Sequence, residues 1–255
     1  MIDLHCHLLP GIDDGPDTLD DSLALASSAA TAGTRTIVAT PHVSWKYRND
    51  AETIHHSVDH LAHALAAEQV GIEVLTGAEI AMTYVTDIPS EELGRLTLGG
   101  SAWLLIEPPF APVATGLDAI VIDLMQQGYE IMIAHPERCA ALHRDPSLVA
   151  TLVRAGALTS VTAGSLNGRF GSSARRFALR MLEEGMAHNV ASDAHDSLNR
   201  PPTIAECMEQ AGLAGLREWL TEQVPAAMLA GERIPPRPSV SVPRGKGFLG
   251  RLRRG

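Results

Sequence analysis

The chain has 255 residues, of which 45% are apolar and only 4% aromatic, and it carries a net charge of −10. This length suits one large domain with an aliphatic core, and no apolar run reaches the ~18 residues of a membrane-spanning helix. Residues 233–255 hold seven basic and no acidic side chains, which leaves 13 basic against 30 acidic residues elsewhere and argues against a nucleic-acid partner.

Apolar, β-branched segments alternate with helical patterns from residue 2 onwards. The predicted strands are 2–5, 36–40, 73–78, 103–106, 130–134, 159–162 and 189–192. The predicted helices are 18–32, 51–70, 117–127, 146–155, 173–184, 203–210 and 213–229. Repeated β-α units of this length indicate an α/β fold with a parallel sheet, and seven strands favour a barrel. We expect a single domain over 1–231 and a flexible, Pro- and Arg-rich basic tail over 232–255.

Histidine and carboxylate residues recur where the predicted strands end. Six of the seven ends carry them: His5 and His7, His42, Glu79, Glu107, His135, and Asp193 and His195. Parallel barrel strands bring their carboxyl ends to one face, where barrel active sites are built. Alternation also turns His5 and His7 to the same side of their strand. One such residue alone is more often a solvent-facing or hydrogen-bonded side chain, but eight at equivalent edges favour a multinuclear metal site.

The three cysteines, Cys6, Cys139 and Cys207, form no C-x-x-C pair, so neither a disulfide framework nor a thiolate zinc site is expected. Imidazole and carboxylate ligands without thiolate suit Mn, Fe, Zn or Co. Only four residues separate Cys139 from Arg144, and no Gly-rich phosphate loop is present, which excludes a C-x5-R phosphatase motif. A motif that begins at residue 2 leaves no room for a signal peptide, so we expect a cytoplasmic protein.

Six short motifs, HCH, TPH, GAE, IEPP, AHPER and SDAH, occur in this order across residues 5–195 and resemble the PHP (polymerase and histidinol phosphatase) superfamily. Within it, HCHLLPGIDDGP, AHPERC and VTAGSLNGRFG are similar to the CpsB/CapC-type manganese-dependent protein-tyrosine phosphatases of bacterial capsule and exopolysaccharide synthesis. The likeness covers nearly the whole chain before the tail. It implies a distorted (β/α)7 barrel, the PHP fold, with three metals at the strand C-termini.

The resemblance also implies which side chains hold the three metals. These are His5, His7, Glu79 and Asp193 for the first; Glu79, Glu107 and His135 for the second; and His42, His195 and Asp14 for the third. Asp14 is the least secure of the nine, because a carboxylate in DDGP is also typical of a turn or a helix N-cap. We expect Asp13 to be the turn residue.

Arg138 and Arg200 match positions that bind phosphate in the tyrosine-phosphatase family, and a guanidinium fork fits phosphoryl oxygens bidentately. The alternatives are an ion pair of Arg138 with Glu137 or another neighbour, and a surface position for Arg200. The implied chemistry is attack on phosphorus by a metal-activated hydroxide. Asp14 is then also a candidate proton donor to the leaving phenol, whose pKa of ~10 makes it a good leaving group.

The resemblance therefore implies a phosphoric monoester hydrolase that acts on phosphotyrosine, with Mn²⁺ as the expected ion and Fe, Zn, Co or Mg as others. Its expected substrate is a membrane-associated tyrosine autokinase that controls capsule or exopolysaccharide synthesis. A small-molecule phosphatase, such as a histidinol-phosphatase, and a non-enzymatic metal-binding scaffold are the alternatives. The basic tail suits contact with anionic lipid or with the kinase, or it only improves solubility; the sequence leaves the oligomeric state open.

Overall fold

The structure is a computed structural model that describes residues 1–111 and 114–240. Within these residues it has nine strands: β1 (Ile2–Cys6), β2 (Thr36–Ala39), β3 (His42–Val43), β4 (Glu73–Thr76), β5 (Glu79–Ala81), β6 (Trp103–Glu107), β7 (Glu130–Ala134), β8 (Leu158–Thr162) and β9 (Asn189–Ala191). The α-helices of the same range are α1 (Leu19–Thr31), α2 (Ala51–Ala67), α3 (Ser90–Arg95), α4 (Leu117–Gln126), α5 (Ala140–Arg144), α6 (Pro146–Ala155), α7 (Ala163–Asn167), α8 (Gly171–Glu183), α9 (Ile204–Gln210), α10 (Ala214–Glu218) and α11 (Val224–Ala230).

All pairings between these strands are parallel, in two sheets of order β1-β2-β4 and β3-β5-β6-β7-β8-β9. Only two residues separate β2 from β3 and β4 from β5, so each pair is one bent run of chain that contributes to both sheets. Beyond the end of β9, the Asp193 N–H donates to the His5 carbonyl at 2.8 Å, and the His7 N–H donates to the Ala194 carbonyl at 2.9 Å. These bonds join seven strand runs into one ring, which confirms the predicted α/β class with parallel strands.

The bends have local causes in the sequence. Pro41 lies between β2 and β3 and has no N–H to donate to a neighbouring strand. Gly77 lies between β4 and β5, where a Cβ atom would be 2.7 Å from Cγ1 of Val38. The absence of a side chain at Gly77 therefore allows the chain to turn closely over β2 and to place Glu79 at the head of β5.

Helix starts and buried strands follow the sequence signals. The Thr18 hydroxyl accepts the Asp21 N–H at the start of α1, and Asp50 accepts the Thr53 N–H at the start of α2. β1 and β8 are buried along their whole lengths, as expected for strands covered on both faces. Each of the seven predicted strands matches a strand of the structure within two residues at each end, with 36–40 matched to β2 and 73–78 to β4; β3 and β5 are short strands that the sequence pattern did not separate.

The predicted helix over 213–229 is found as an unbroken helical run over 214–230, but its hydrogen-bond pattern changes along its length. The structure has α10, then a π-helical segment at Trp219–Gln223, then α11. Pro225 lies in the first turn of α11 and cannot donate a backbone hydrogen bond to the preceding turn, so the ladder is interrupted there.

The predicted flexible tail begins at residue 232, and within its described part, 232–240, Ile234, Pro235 and Arg237 contact the barrel. The Trp219 indole N–H donates to the Pro235 carbonyl at 3.0 Å, and the Arg237 guanidinium donates to the Leu182 carbonyl at 2.6 Å. Residues 241–255, which the flexible-tail prediction also covers, lie outside the described residues. In the part of the chain that the structure describes, no helix combines the length and the apolar character needed to cross a membrane.

Candidate metal centre

The carboxyl ends of the barrel strands bring the predicted ligands to one face of the molecule. His5 lies in β1 with His7 just beyond it, and His42 and Glu79 begin β3 and β5, where they are paired in register. Glu107 ends β6. The remaining ligands lie directly after strands: His135 after β7, and Asp193 and His195 after β9.

Glu79 lies at the centre of this group, with its carboxylate fully buried. Its Oε2 atom lies 3.3 Å from the Nε2 atoms of His5 and His7 and 3.0 Å from Nδ1 of His42. Oε1 lies 2.7 Å from Nε2 of His135. Oε2 itself makes no hydrogen bond within the described residues, although it is buried. A buried, unsatisfied carboxylate oxygen that faces three imidazole nitrogens fits a bound cation.

Four overlapping sets of side chains hold their ligand atoms within 4.8 Å of one another. The sets are His5, His7 and Asp193; His5, Glu79 and His135; His42, Glu79 and Glu107; and His7, Asp14, His42 and His195. All nine predicted ligands belong to at least one set, and the sets share residues as expected for neighbouring ions. Three groupings differ from the expected assignment: His5 joins Glu79 and His135, His42 joins Glu79 and Glu107, and His7 joins the set that contains Asp14. Oxygen and nitrogen donors of this kind suit a borderline divalent cation.

Asp14 reaches the third set from the loop after β1. Its Oδ1 atom lies 3.3 Å from Nε2 of His195 and 3.4 Å from Nε2 of His42, and the side chain is 46% exposed. The hydrogen bond to His195 and the nearby imidazoles hold the pKa of Asp14 well below its usual range. This ionised state favours a ligand role for Asp14 over the role of proton donor.

Asp13 does more than form a turn. Its buried carboxylate lies 2.7 Å from Nδ1 of His7, and it accepts the backbone N–H groups of Gly15 at 2.9 Å and His42 at 3.0 Å. With its Nδ1 side against this carboxylate, His7 directs Nε2 into the cluster, 3.2 Å from Nε2 of His5. A carboxylate behind a ligating histidine fixes the ring and its tautomer, which is the usual arrangement at metal sites.

The buried carboxylates of the cluster strongly perturb one another and the histidines beside them. Burial and the neighbouring Glu79 raise the pKa of Glu107 to about 8. Burial opposes ionisation of His7, yet the carboxylates of Asp13 and Glu79 raise its pKa well above the usual value. Divalent ions would offset the repulsion between these carboxylates.

Arg138 and Arg200 both contact Asp193. Arg138 donates to Oδ2 of Asp193. Nη2 of Arg200 lies 2.8 Å from Oδ1 in an ion pair and donates to the Asp193 backbone carbonyl at 3.1 Å. Burial would raise the pKa of Asp193, but His5 and the two arginines hold it well below its usual range. Two guanidinium groups thus lie against a carboxylate that also belongs to the cluster.

A family model described as "Capsular polysaccharide synthesis, CpsB/CapC" matches residues 1–213. The chain belongs to the CpsB/CapC family. It is 39% identical to the tyrosine-protein phosphatase YwqE of Bacillus subtilis over 201 residues, which are 78% of this chain and 79% of YwqE. It is 32% identical to the putative tyrosine-protein phosphatase CapC of Staphylococcus aureus over 239 residues, or 92% and 93% of the two chains.

Solved structures agree with this CpsB/CapC assignment. One comes from work on YwqE from Bacillus subtilis and CpsB from Streptococcus pneumoniae, described as unique metal-dependent tyrosine phosphatases. It superposes with a TM-score of 0.82 at 35% identity and covers 94% of this chain and 100% of its own. The lactonase Lmo2620 from Listeria monocytogenes, with a TM-score of 0.55 at 14% identity, shares the fold alone. The family and fold class predicted from the sequence are confirmed.

Two buried carboxylates of this CpsB/CapC chain were missed by the sequence motifs. Asp3 accepts the N–H groups of Ser192 at 3.0 Å and His5 at 3.3 Å, and so ties β1 to the end of β9. Asp3 stands two residues before His5, and alternate residues of a strand share a face, so the sequence pattern could have placed Asp3 on the same face of β1 as His5.

Glu137 is the second, and it forms no ion pair with Arg138. Its buried carboxylate accepts the Ser165 hydroxyl at 2.7 Å and the Thr162 N–H at 2.9 Å, and burial raises its pKa to about 7. Nothing in the sequence indicated that Glu137 is buried, because it lies between His135 and Arg138 in a short polar segment of a kind that is usually exposed.

Proposed function

We propose that this protein is a metal-dependent protein-tyrosine phosphatase that uses Mn²⁺ and acts in capsule or exopolysaccharide synthesis. The observation that carries the proposal is the position of Asp193, which belongs to the cluster of candidate ligands and contacts both Arg138 and Arg200. A phosphoryl group beside this carboxylate would meet guanidinium donors and the cation site together. The proposed substrate is a phosphotyrosine-bearing protein, with a membrane-associated tyrosine kinase as the expected partner.

The nine side chains from His5 to His195 would hold the ions, which supply Lewis acidity toward phosphoryl oxygens and a water of lowered pKa. Arg138 and Arg200 present N–H donors that match the equatorial oxygens of a phosphoryl group, and they offset the charge that develops there. Asp193 holds both guanidinium groups in place before substrate arrives, so little reorganisation is needed when it binds. A phenol leaves readily, with a pKa of ~10, which reduces the need for a strong acid from the protein.

The cysteines support metal chemistry over thiol chemistry. Cys6, Cys139 and Cys207 are all buried and unpaired. Cys139, beside Arg138, directs its S–H at the Pro109 carbonyl at 3.2 Å. A catalytic cysteine would be partly exposed, and its pKa would be lowered by its surroundings. By contrast, burial raises the pKa of Cys6 well above its usual value.

A substrate panel on the Mn²⁺-loaded protein tests the proposal. We expect the phosphotyrosyl peptide to be hydrolysed with a higher kcat/KM than histidinol phosphate. The double variant His5→Ala with Glu79→Ala should lose the activity. Asp17→Asn, which removes an exposed carboxylate from the loop between β1 and α1, should keep it. Preference for histidinol phosphate would favour the small-molecule alternative. A protein that binds metal and hydrolyses neither substrate would be the scaffold, and full activity in the double variant would contradict the proposed site.

A further inference from the structure

An exposed aromatic ring stands beside the proposed phosphate-binding arginine. Phe110 follows β6 in the segment Glu107-Pro108-Pro109-Phe110, and it is 54% exposed. Its ring lies nearly parallel to the imidazole of His135, with 5.7 Å between centroids and 20° between planes. The guanidinium carbon of Arg138 lies 5.3 Å from the centre of the same ring. The ring therefore borders both a candidate metal ligand and a phosphate-binding group.

The backbone holds this ring in place despite its exposure. Pro108 and Pro109 restrict the two residues before it, which lowers the entropy lost when the ring is used for binding. The Cys139 S–H donates to the Pro109 carbonyl at 3.2 Å. Since Cys139 directly follows Arg138, this bond ties the Phe110 turn to the turn that carries the arginine.

The cluster alone does not distinguish one phosphate ester from another. Its guanidinium groups, and the cations that its side chains would hold, are complementary to phosphoryl oxygens, which phosphotyrosine shares with alkyl phosphates. Discrimination needs a group that contacts the leaving part of the ester, just outside the phosphoryl site. Phenyl rings stack on other aromatic rings with a gain that alkyl chains do not obtain.

We propose that Phe110 determines specificity for aryl phosphates by packing its exposed face against the phenol ring of the substrate. This inference rests on the proposed phosphatase function and names the residue that selects the substrate class. The phosphoryl group binds at Arg138 and the cluster, and the phenol ring extends from it along Phe110.

The other apolar side chains near the mouth of the site are already engaged. Phe170 lies under the arginines, 4.4 Å from the guanidinium of Arg138 and 5.8 Å from that of Arg200, and it is only partly exposed. Trp45 packs edge-on against Tyr84, and its indole N–H donates to the Thr83 carbonyl. Of the large apolar side chains that are exposed within residues 1–111 and 114–240, Phe110 is the one in ring contact with the site.

The test compares Phe110→Ala, Phe110→Trp and the control Ile122→Ala, which truncates an exposed apolar side chain of α4. Calorimetric titration of the Mn²⁺-loaded proteins with phenylphosphonate and methylphosphonate separates binding from the leaving-group chemistry. The ratio of kcat/KM for phenyl phosphate to that for methyl phosphate gives the second readout.

For Phe110→Ala we expect phenylphosphonate affinity, relative to methylphosphonate, to fall about three- to tenfold, the range expected for one aromatic pair. The kcat/KM ratio should fall by a similar factor, Phe110→Trp should restore both, and Ile122→Ala should change neither. Equal losses for the aryl and alkyl compounds, or no loss for either, would overturn the inference. If the unmodified protein hydrolyses no phosphate ester, the proposed function fails, and the phosphonate titration still decides the role of Phe110.

Discussion

The Asp13→Asn substitution removes an acceptor from a carboxylate that receives three donors. Oδ2 of Asp13 lies 2.7 Å from His7 Nδ1 and accepts the His42 N–H at 3.0 Å, while Oδ1 accepts the Gly15 N–H at 2.9 Å. An asparagine has one oxygen and one NH₂ group, so at least one of the three donors must face another donor. The preferred orientation of the amide keeps its oxygen toward His7 and places its NH₂ group against the Gly15 N–H. The hydrogen bond to His7 then has a neutral acceptor in place of a carboxylate.

Loss of such a carboxylate–histidine contact typically weakens metal binding 10–100-fold, or about 1.4–2.7 kcal/mol. The unmet Gly15 donor should lower the free energy of unfolding by about 1–3 kcal/mol as well. Mn²⁺ bound per chain, measured by mass spectrometry across a series of buffered free-metal concentrations, reports the first effect. Asp17→Asn removes the same charge from an exposed position and is the control. Metal affinity of Asp13→Asn within twofold of the control would refute the orienting role of Asp13.

Three further changes have defined outcomes. Gly77→Ala forces a Cβ to within 2.7 Å of Val38 and should lower the unfolding free energy by about 1–3 kcal/mol in urea titrations; Gly71→Ala, with open space around it, should not. The Cys139→Ser variant should keep its phosphatase activity in steady-state assays. If Cys139 were the nucleophile, this substitution would abolish the activity. Burial and the charge of Arg237 lower the pKa of His188 to about 4. Between pH 6.5 and 4 only the unfolded chain then takes up this proton, so the free energy of unfolding falls by about 3 kcal/mol as the pH drops. His188→Gln should remove that part of the acid sensitivity, measured by urea unfolding at each pH.

Much of the site was predictable because regular strands place it. His5, Glu107 and Asp193 follow β-branched or aliphatic segments, and parallel strands carry their carboxyl ends to one face whatever the intervening helices do. The same alternation places Cys6 on the opposite side of β1 from His5 and His7, and the structure buries it against the Ala194 carbonyl.

The remaining features depend on irregular backbone, which has no sequence period. Asp13 and Asp14 are adjacent in DDGP, and only the path of the loop turns the first to His7 and the second to His195. The loop path also requires the glycine of DDGP, because a Cβ at Gly15 would lie 2.6 Å from the His7 carbonyl oxygen. Glu137 was equally hidden, because the short turn after β7 directs it into the core rather than toward Arg138.

If the cluster around Glu79 holds the ions on which phosphotyrosine hydrolysis depends, metal content and activity should change together. The most direct measurement follows hydrolysis of a phosphotyrosyl peptide by protein stripped with a chelator and then titrated with Mn²⁺, with bound metal determined in the same samples. Activity should fall to background on stripping and return in proportion to the Mn²⁺ bound. Undiminished hydrolysis by protein that holds no measurable metal would contradict this dependence.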